Sequence, residues 1–138
     1  FTFSGGEPLM QPEFLLSLAE ELKGFNLCTE TSGYAKPEIF TSVIEKLDFI
    51  IMDIKLANTE THKKYTGVGN EAILANFEAL KKSGKSYLIR TPLIPNITDT
   101  KENLSAIKSL IGESNWEQLP YNTMAGAKYK MLGMEYSL

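Results

Sequence analysis

Asp48-Phe49-Ile50-Ile51-Met52-Asp53-Ile54-Lys55 is a nearly unbroken apolar run closed at both ends by charge. A half-solvated strand alternates apolar and polar residues. A continuous run instead reads as a strand buried on both faces of a parallel sheet covered by helices. The flanking sequence agrees, because strand and helix signals alternate along the chain. Upstream, Pro37 opens a helix with Ile39, Phe40, Val43, Ile44 and Leu47 on its buried face. Residues 25–30 read as a strand ending at Thr31-Ser32-Gly33. Residues 12–23 read as an amphipathic helix, with Pro12 at its first position, Phe14, Leu15, Leu18 and Leu22 on one face, and Gly24 as its stop. Residues 2–5 are a further strand.

Downstream, residues 58–69 are a long polar connection with one helical turn. Asn70 caps a helix carrying Ile73, Leu74, Phe77 and Leu80, closed by Gly84. Residues 87–92 are a strand, and Leu104, Ile107, Leu110 and Ile111 mark a helix ended by Gly112. Residues 116–120 are the last strand, and 121–138 read as glycine-punctuated loop. Five strands with four intervening helices predict parallel βαβ units in an α/β fold, either an open doubly wound sheet or an arc of a barrel. In both, ligands gather at the carboxyl ends of the strands.

Composition narrows the function classes. The 138 residues suffice for one domain with its own core, 1–138. A net charge of -3 leaves no basic patch for nucleic acid. No apolar run approaches the roughly 20 residues of a membrane span. A single cysteine excludes a disulfide framework and fits a reducing, cytoplasmic setting. By itself Cys28 cannot hold an iron–sulfur cluster or a structural zinc, which need several ligands. A chain that begins inside a strand, with no initiator methionine, reads as a piece of a longer protein.

The strand ends are polar throughout. The first carries Gly5-Gly6-Glu7, the second Glu30-Thr31-Ser32-Gly33, the third Asp53 and Lys55, the fourth Arg90, and the fifth Tyr121 and Asn122. Parallel strands bring these groups to one rim. Glycines without Cβ let a ligand or backbone approach closely, and their amides suit an anion. Glu7, Glu30 and Asp53 suit an ammonium or a metal cation, and Lys55 and Arg90 suit a carboxylate. A zwitterionic, amino-acid-like ligand satisfies both sets. Each feature also has a simple structural reading. Asp53 and Lys55 form an ion pair, Arg90 joins a rim pair, Glu30 caps the next element, and Asn122 is a turn residue. Cys28 is a small buried side chain, and His62, in a lysine-rich segment, is solvated. Met52 belongs to the core, and Met124, Met131 and Met134 pack under a loop.

Thr2-Phe3-Ser4-Gly5-Gly6-Glu7-Pro8, Glu30-Thr31-Ser32-Gly33-Tyr34, Met52-Asp53-Ile54-Lys55, Ile89-Arg90-Thr91-Pro92-Leu93-Ile94-Pro95, Leu119-Pro120-Tyr121-Asn122, Lys128-Tyr129 and Leu132-Gly133 follow one another in an order that, over essentially the whole chain, resembles the glycyl-radical-enzyme activases. These are radical S-adenosylmethionine enzymes similar to pyruvate formate-lyase activating enzyme. The resemblance implies a partial, splayed (β/α)6 barrel of the TIM-like kind, of which this chain supplies strands two to six. It implies a 4Fe–4S cluster on a Cys-x3-Cys-x2-Cys loop and S-adenosylmethionine bound to that cluster. Reductive cleavage of the sulfonium yields a 5′-deoxyadenosyl radical, which removes a hydrogen atom from a glycine of a partner glycyl radical enzyme. Flavodoxin or ferredoxin supplies the electron.

Carried over residue by residue, Gly5, Gly6 and Glu7 resemble the Gly-Gly-Glu motif that positions the amino group of S-adenosylmethionine. Asp53, Ile54 and Lys55 resemble the segment contacting its ribose and methionine parts. Glu30, where the family also uses Asp, and Asp53 match positions that hold a monovalent cation beside the methionine carboxylate. Arg90 resembles a rim residue aimed at cofactor or substrate, and Asn122 aligns with a late ligand near the adenosine that is often His. No Cys-x3-Cys-x2-Cys occurs, so the expectation is that this polypeptide alone is inactive, and that an exposed sheet edge favours its self-association. Another radical S-adenosylmethionine enzyme, a non-catalytic binding module and an unrelated α/β barrel are the alternatives.

Overall fold

The computed structural model describes residues 1–122, 129–133 and 135. Its elements are β1 (Thr2–Phe3), a 3-10 turn (Pro8–Met10), α1 (Pro12–Glu21), β2 (Cys28–Thr31), α2 (Pro37–Glu45), β3 (Phe49–Asp53), α3 (Thr59–Thr66), α4 (Glu71–Lys82), β4 (Ser86–Pro92), α5 (Lys101–Ile111) and β5 (Trp116–Leu119). The strands form one five-stranded sheet in the order β1-β2-β3-β4-β5. Every neighbouring pair is parallel. A doubly wound sheet reverses its strand order at a switch point. Sequential order without reversal is that of a barrel arc, in which right-handed crossovers put the helices on one face. The fold is therefore the partial barrel, not the open sheet.

Register assigns the two faces. Thr29, Ile50 and Tyr87 lie side by side across β2, β3 and β4, as do Thr31, Met52 and Ile89. This face meets the helices. Ile50, Met52 and Ile89 have no exposed surface and share a core with Phe40 of α2, Phe77 and Leu80 of α4 and Ile107 of α5. Removing each such side chain from water contributes about 1.5–3 kcal/mol. Because side chains alternate along a strand, Glu30, Ile51 and Leu88 occupy the opposite face, and Asp53 and Arg90 follow at its carboxyl end. β3 is accordingly buried on one face, while Phe49, Ile51 and Asp53 stay half-buried on the other. The apolar run thus marks a central strand, but its second face is not covered by helices.

Several local expectations change. The first two strands are shorter than 2–5 and 25–30. The polar connection holds a helix of 8 residues, α3, rather than one turn. Asn58 starts it by accepting a hydrogen bond from Thr61 N at 2.9 Å, and Gly67 ends it at φ 84°. His62 is buried, not solvated, with Nδ1 2.8 Å from Val68 O. Phe14 leaves the buried stripe of α1, which is Leu15 and Ala19, and is 65% exposed. It stands with Met10 over a groove of about 420 Å³ along β1, which among the described residues is an edge strand beside β2. Residues 129–131 form a helical turn where loop was expected, and Met131 is exposed rather than packed. Met124, Lys128 and Met134 lie outside the described residues.

Candidate functional site

The carboxyl ends of β1 to β4 surround a pocket of about 280 Å³ lined by Ser4, Gly5, Gly6, Glu7, Glu30, Thr31, Ser32, Asp53, Lys55 and Arg90. Seven residues singled out in the sequence, Gly5, Gly6, Glu7, Glu30, Asp53, Lys55 and Arg90, therefore meet at one place. Small-molecule sites usually span about 300–1,000 Å³. This one falls just below that range, so it matches one end of a nucleoside-sized ligand rather than the whole of it.

Arg90 organises the charges. Its Nε donates to Asp53 Oδ1 at 3.2 Å and Nη1 donates to Glu30 Oε1 at 3.1 Å. Lys55 Nζ donates to Asp53 Oδ2 at 3.2 Å, and Ser4 Oγ donates to Glu30 Oε2 at 3.0 Å. The Arg90 guanidinium and the Ser4 hydroxyl hold the Glu30 carboxyl below the usual carboxylate range, against a smaller opposing effect of burial. Burial works against the Arg90 charge, but the Asp53 and Glu30 carboxylates outweigh it and raise its pKa. The rim thus sets the Glu30 and Asp53 carboxylates side by side with the Arg90 and Lys55 side chains. The Asp53–Lys55 pair and the Arg90 rim pairs are the simple readings of those residues. Arg90 is also the cation that the structure places between Glu30 and Asp53.

Glu7 turns away from this network. Its Oε1 accepts from Leu9 N at 3.1 Å and Thr31 Oγ1 at 2.6 Å, and its Oε2 accepts from Ser32 N at 2.8 Å and Ser32 Oγ at 2.6 Å. The carboxylate caps the 3-10 turn and ties the loop after β1 to the loop after β2. What the Gly5-Gly6 turn offers the pocket is main chain. Gly5 has φ 123°, a conformation that L side chains rarely adopt. A Cβ at Gly6 would meet nothing within 4 Å, so the backbone there is open to approach.

Not every expected residue reaches the pocket. Ile54 is buried at 1% exposure, so its side chain belongs to the core. Asn122 lies beyond β5, exposed, and does not line the pocket. Ser4, Thr31 and Ser32 line it without having been singled out as ligands. Ser4 shares the face of Glu30, which the pairing of Thr2 with Cys28 makes readable once the register is known.

The donor set fits an amino-acid-like group such as the methionyl end of S-adenosylmethionine, with carboxylates for an ammonium, cations for a carboxylate and open glycine backbone. It does not fit an iron–sulfur cluster. The single cysteine, Cys28, is buried on β2 as expected. Burial pushes its thiol up, away from the thiolate that ligates metal. Among the described residues, no group of three or more His, Cys, Asp or Glu is placed to hold a metal ion. No helix of the described residues is long and apolar enough to cross a membrane.

Comparison with known proteins agrees with this geometry. The chain is 37% identical over 142 residues to the 4-hydroxyphenylacetate decarboxylase activating enzyme of Clostridium scatologenes, covering 98% of this chain and 46% of that protein. It is 40% identical over 144 residues to the (2S)-3-sulfopropanediol sulfolyase activating enzyme of Bilophila wadsworthia, covering 99% and 48%. The chain spans about half the length of the curated relatives it matches. Among solved structures, a domain of pyruvate-formate lyase-activating enzyme from Bacteroides vulgatus superimposes with a TM-score of 0.74 at 27% identity, covering 87% of this chain and 74% of that one. The family model described as the Radical SAM superfamily matches residues 1–106, and with the sequential parallel sheet and its charged rim already in place, the chain belongs to that superfamily.

Proposed function

We propose that the protein carrying this chain activates a glycyl radical enzyme, and that the rim pocket holds the methionyl end of S-adenosylmethionine. One observation carries the reading: Gly5, Gly6, Glu30, Asp53, Lys55 and Arg90 come from four separate strand ends and line one pocket. In this reading the Gly5-Gly6 main chain and the carboxylates of Glu30 and Asp53 receive the ammonium group. Lys55 and Arg90 balance the carboxylate, and Asp53 to Lys55 run beside the ribose. Glu7 acts by holding two loops together. Asn122 approaches the adenosine. A monovalent cation beside Glu30 and Asp53 would share their charge with Arg90.

When bound to a reduced cluster, S-adenosylmethionine supplies a 5′-deoxyadenosyl radical in this family. The cluster cysteines are not among these 138 residues, so this chain alone is expected to be inactive. The relatives' names, activating enzymes for a decarboxylase and a sulfolyase, support a glycyl radical enzyme as partner. A flavodoxin or ferredoxin would supply the electron. The test is to reduce the full-length protein anaerobically with S-adenosylmethionine and a panel of glycyl radical enzymes. The reading expects 5′-deoxyadenosine together with a glycyl radical signal in electron paramagnetic resonance. 5′-Deoxyadenosine without a glycyl radical on any member would point to another radical S-adenosylmethionine reaction. Binding without cleavage would point to a binding module.

A further inference from the structure

Past Ile54, whose carbonyl accepts from the Thr91 hydroxyl at 2.7 Å, the chain leaves the sheet, and the next three carbonyls, Lys55, Leu56 and Ala57, have no strand partner to bond. Buried carbonyls must be satisfied somewhere. Here side-chain amides do it. Asn70 is 1% exposed, and its Nδ2 donates to Leu56 O at 2.9 Å and to Ala57 O at 3.0 Å. Asn103 is 8% exposed, and its Nδ2 donates to Lys55 O at 3.0 Å and to Thr98 O at 2.8 Å. Asn103 Oδ1 accepts from Ala57 N at 3.0 Å. One loop earlier the device repeats: Asn76, with no exposed surface, donates from Nδ2 to Gly33 O at 2.8 Å and Ala35 O at 2.9 Å.

These asparagines give up what such residues usually do. Asn70 stands at the N-cap of α4, yet its side chain makes no capping bond there and instead accepts from the Thr59 hydroxyl. Asn76 sits inside α4, where asparagine is a poor helix former. Its Oδ1 finds no partner among the described residues. A buried unpaired oxygen is tolerated when the same group is needed for something else. In all three cases that need is the same, one NH2 spanning two loop carbonyls, within a single loop for Asn70 and Asn76 and between the loops after β3 and β4 for Asn103.

We infer that Asn70, Asn76 and Asn103 are positioning residues, a layer of buried amides beneath the rim that fixes the loops after β2 and β3 and so sets where Asp53 and Lys55 meet their ligand. The inference rests on the proposed binding of S-adenosylmethionine at the rim. Asn103 has the widest reach, because it joins the loop after β3 to Thr98 in the loop after β4. The amides act through backbone placement and touch no ligand themselves.

The test uses the full-length, anaerobically reconstituted protein. Asn103→Leu keeps the side-chain size and removes both donors and the acceptor. Its S-adenosylmethionine dissociation constant is expected to rise about tenfold, equivalent to about 1.4 kcal/mol. The rate of S-adenosylmethionine cleavage at saturation should stay within about twofold. Ile107→Val trims the fully buried core of the same helix and serves as the control for lost stability alone, with its affinity expected unchanged. Equal affinity in the wild type and Asn103→Leu would overturn the inference, as would equal losses in both variants. A wild type that does not bind S-adenosylmethionine would instead overturn the proposed function. Should Asn103→Leu fail to fold, amide exchange in the wild type decides. The Ala57 amide, bonded to Asn103 Oδ1, is expected to be protected, and exchange at the rate of an open loop would overturn the inference.

Discussion

Replacing Arg90 by methionine removes the cation between two carboxylates while keeping most of the side-chain volume. Its side chain is 17% exposed, that of Asp53 22% and that of Glu30 34%. The site is neither a surface pair, worth about 0–1 kcal/mol, nor a fully buried one, whose disruption costs about 3–5 kcal/mol. Glu30 pairs with Ile51 across β2 and β3, so Asp53 is its diagonal neighbour at about 7–8 Å. At about 7 Å, unscreened repulsion between the two carboxylates is about 0.6 kcal/mol in water and about 2.4 kcal/mol at an effective dielectric of about 20. Asp53 keeps Lys55 and Glu30 keeps Ser4. Adding the lost charge-assisted hydrogen bonds, partly screened by solvent, gives a loss of about 2–3 kcal/mol at pH 7.

The loss must also depend on pH. Glu30 is held below its ordinary pKa in the folded protein, mainly by Arg90. A depressed carboxyl stabilises the fold above its unfolded pKa, and that stabilisation disappears as pH falls through the folded value. The difference between wild type and Arg90→Met is therefore full at pH 7 and shrinks below about pH 4.3, the ordinary glutamate range. Urea unfolding followed by the single tryptophan, Trp116 on β5 beside β4, reads it directly. A difference that stays constant as pH falls from 7 to about 3, well below the ordinary glutamate range, or one below about 0.5 kcal/mol at pH 7, would refute the reasoning.

Two further substitutions probe the loops. Gly33→Ala should cost about 1–2 kcal/mol for its φ of 73°. A further cost of about 1 kcal/mol comes from overpacking, because the new Cβ would meet Cε, the flexible end of the fully buried Met52 side chain, which must then shift. Gly84→Ala, at the same φ but with nothing within 4 Å, should cost only the first part, and equal losses in thermal or urea unfolding would remove the packing argument. Glu7→Gln places an NH2 against donors, since all four of its present bonds are accepted ones. We expect a loss of about 2–3 kcal/mol in urea unfolding, and a loss within the surface range of about ±0.5 kcal/mol would show that the two loops do not depend on this carboxylate.

Much of the fold was legible because hydrophobic patterning is local. The run from Asp48 to Lys55 identified a central strand, and Phe40, Val43 and Ile44 marked the inner face of α2. The polar strand ends could be placed on one rim as soon as the strands were read as parallel. What escaped depends on tertiary partners. α3 lacks a strong apolar stripe and is fixed by Asn58 and Gly67, so its sequence resembles a loop. His62 sits among lysines, yet its ring reaches Val68 O just past the end of the helix. Phe14 has the spacing of a buried residue, but α1 lies beside the edge strand, where the sheet offers nothing to cover it. The duties of Asn70, Asn76 and Asn103 were invisible for a related reason. A polar residue within a helix reads the same whether it faces water or a buried loop carbonyl, and only the contact distinguishes them.

Gly6 offers the most direct test of the rim as a ligand site. A side chain there meets no protein atom within 4 Å, and Gly6 lines the pocket. Gly6→Val in the full-length, anaerobically reconstituted protein is therefore predicted to melt like the wild type while binding S-adenosylmethionine at least about tenfold more weakly. Unchanged affinity in a normally folded Gly6→Val protein would contradict the placement of S-adenosylmethionine at this rim.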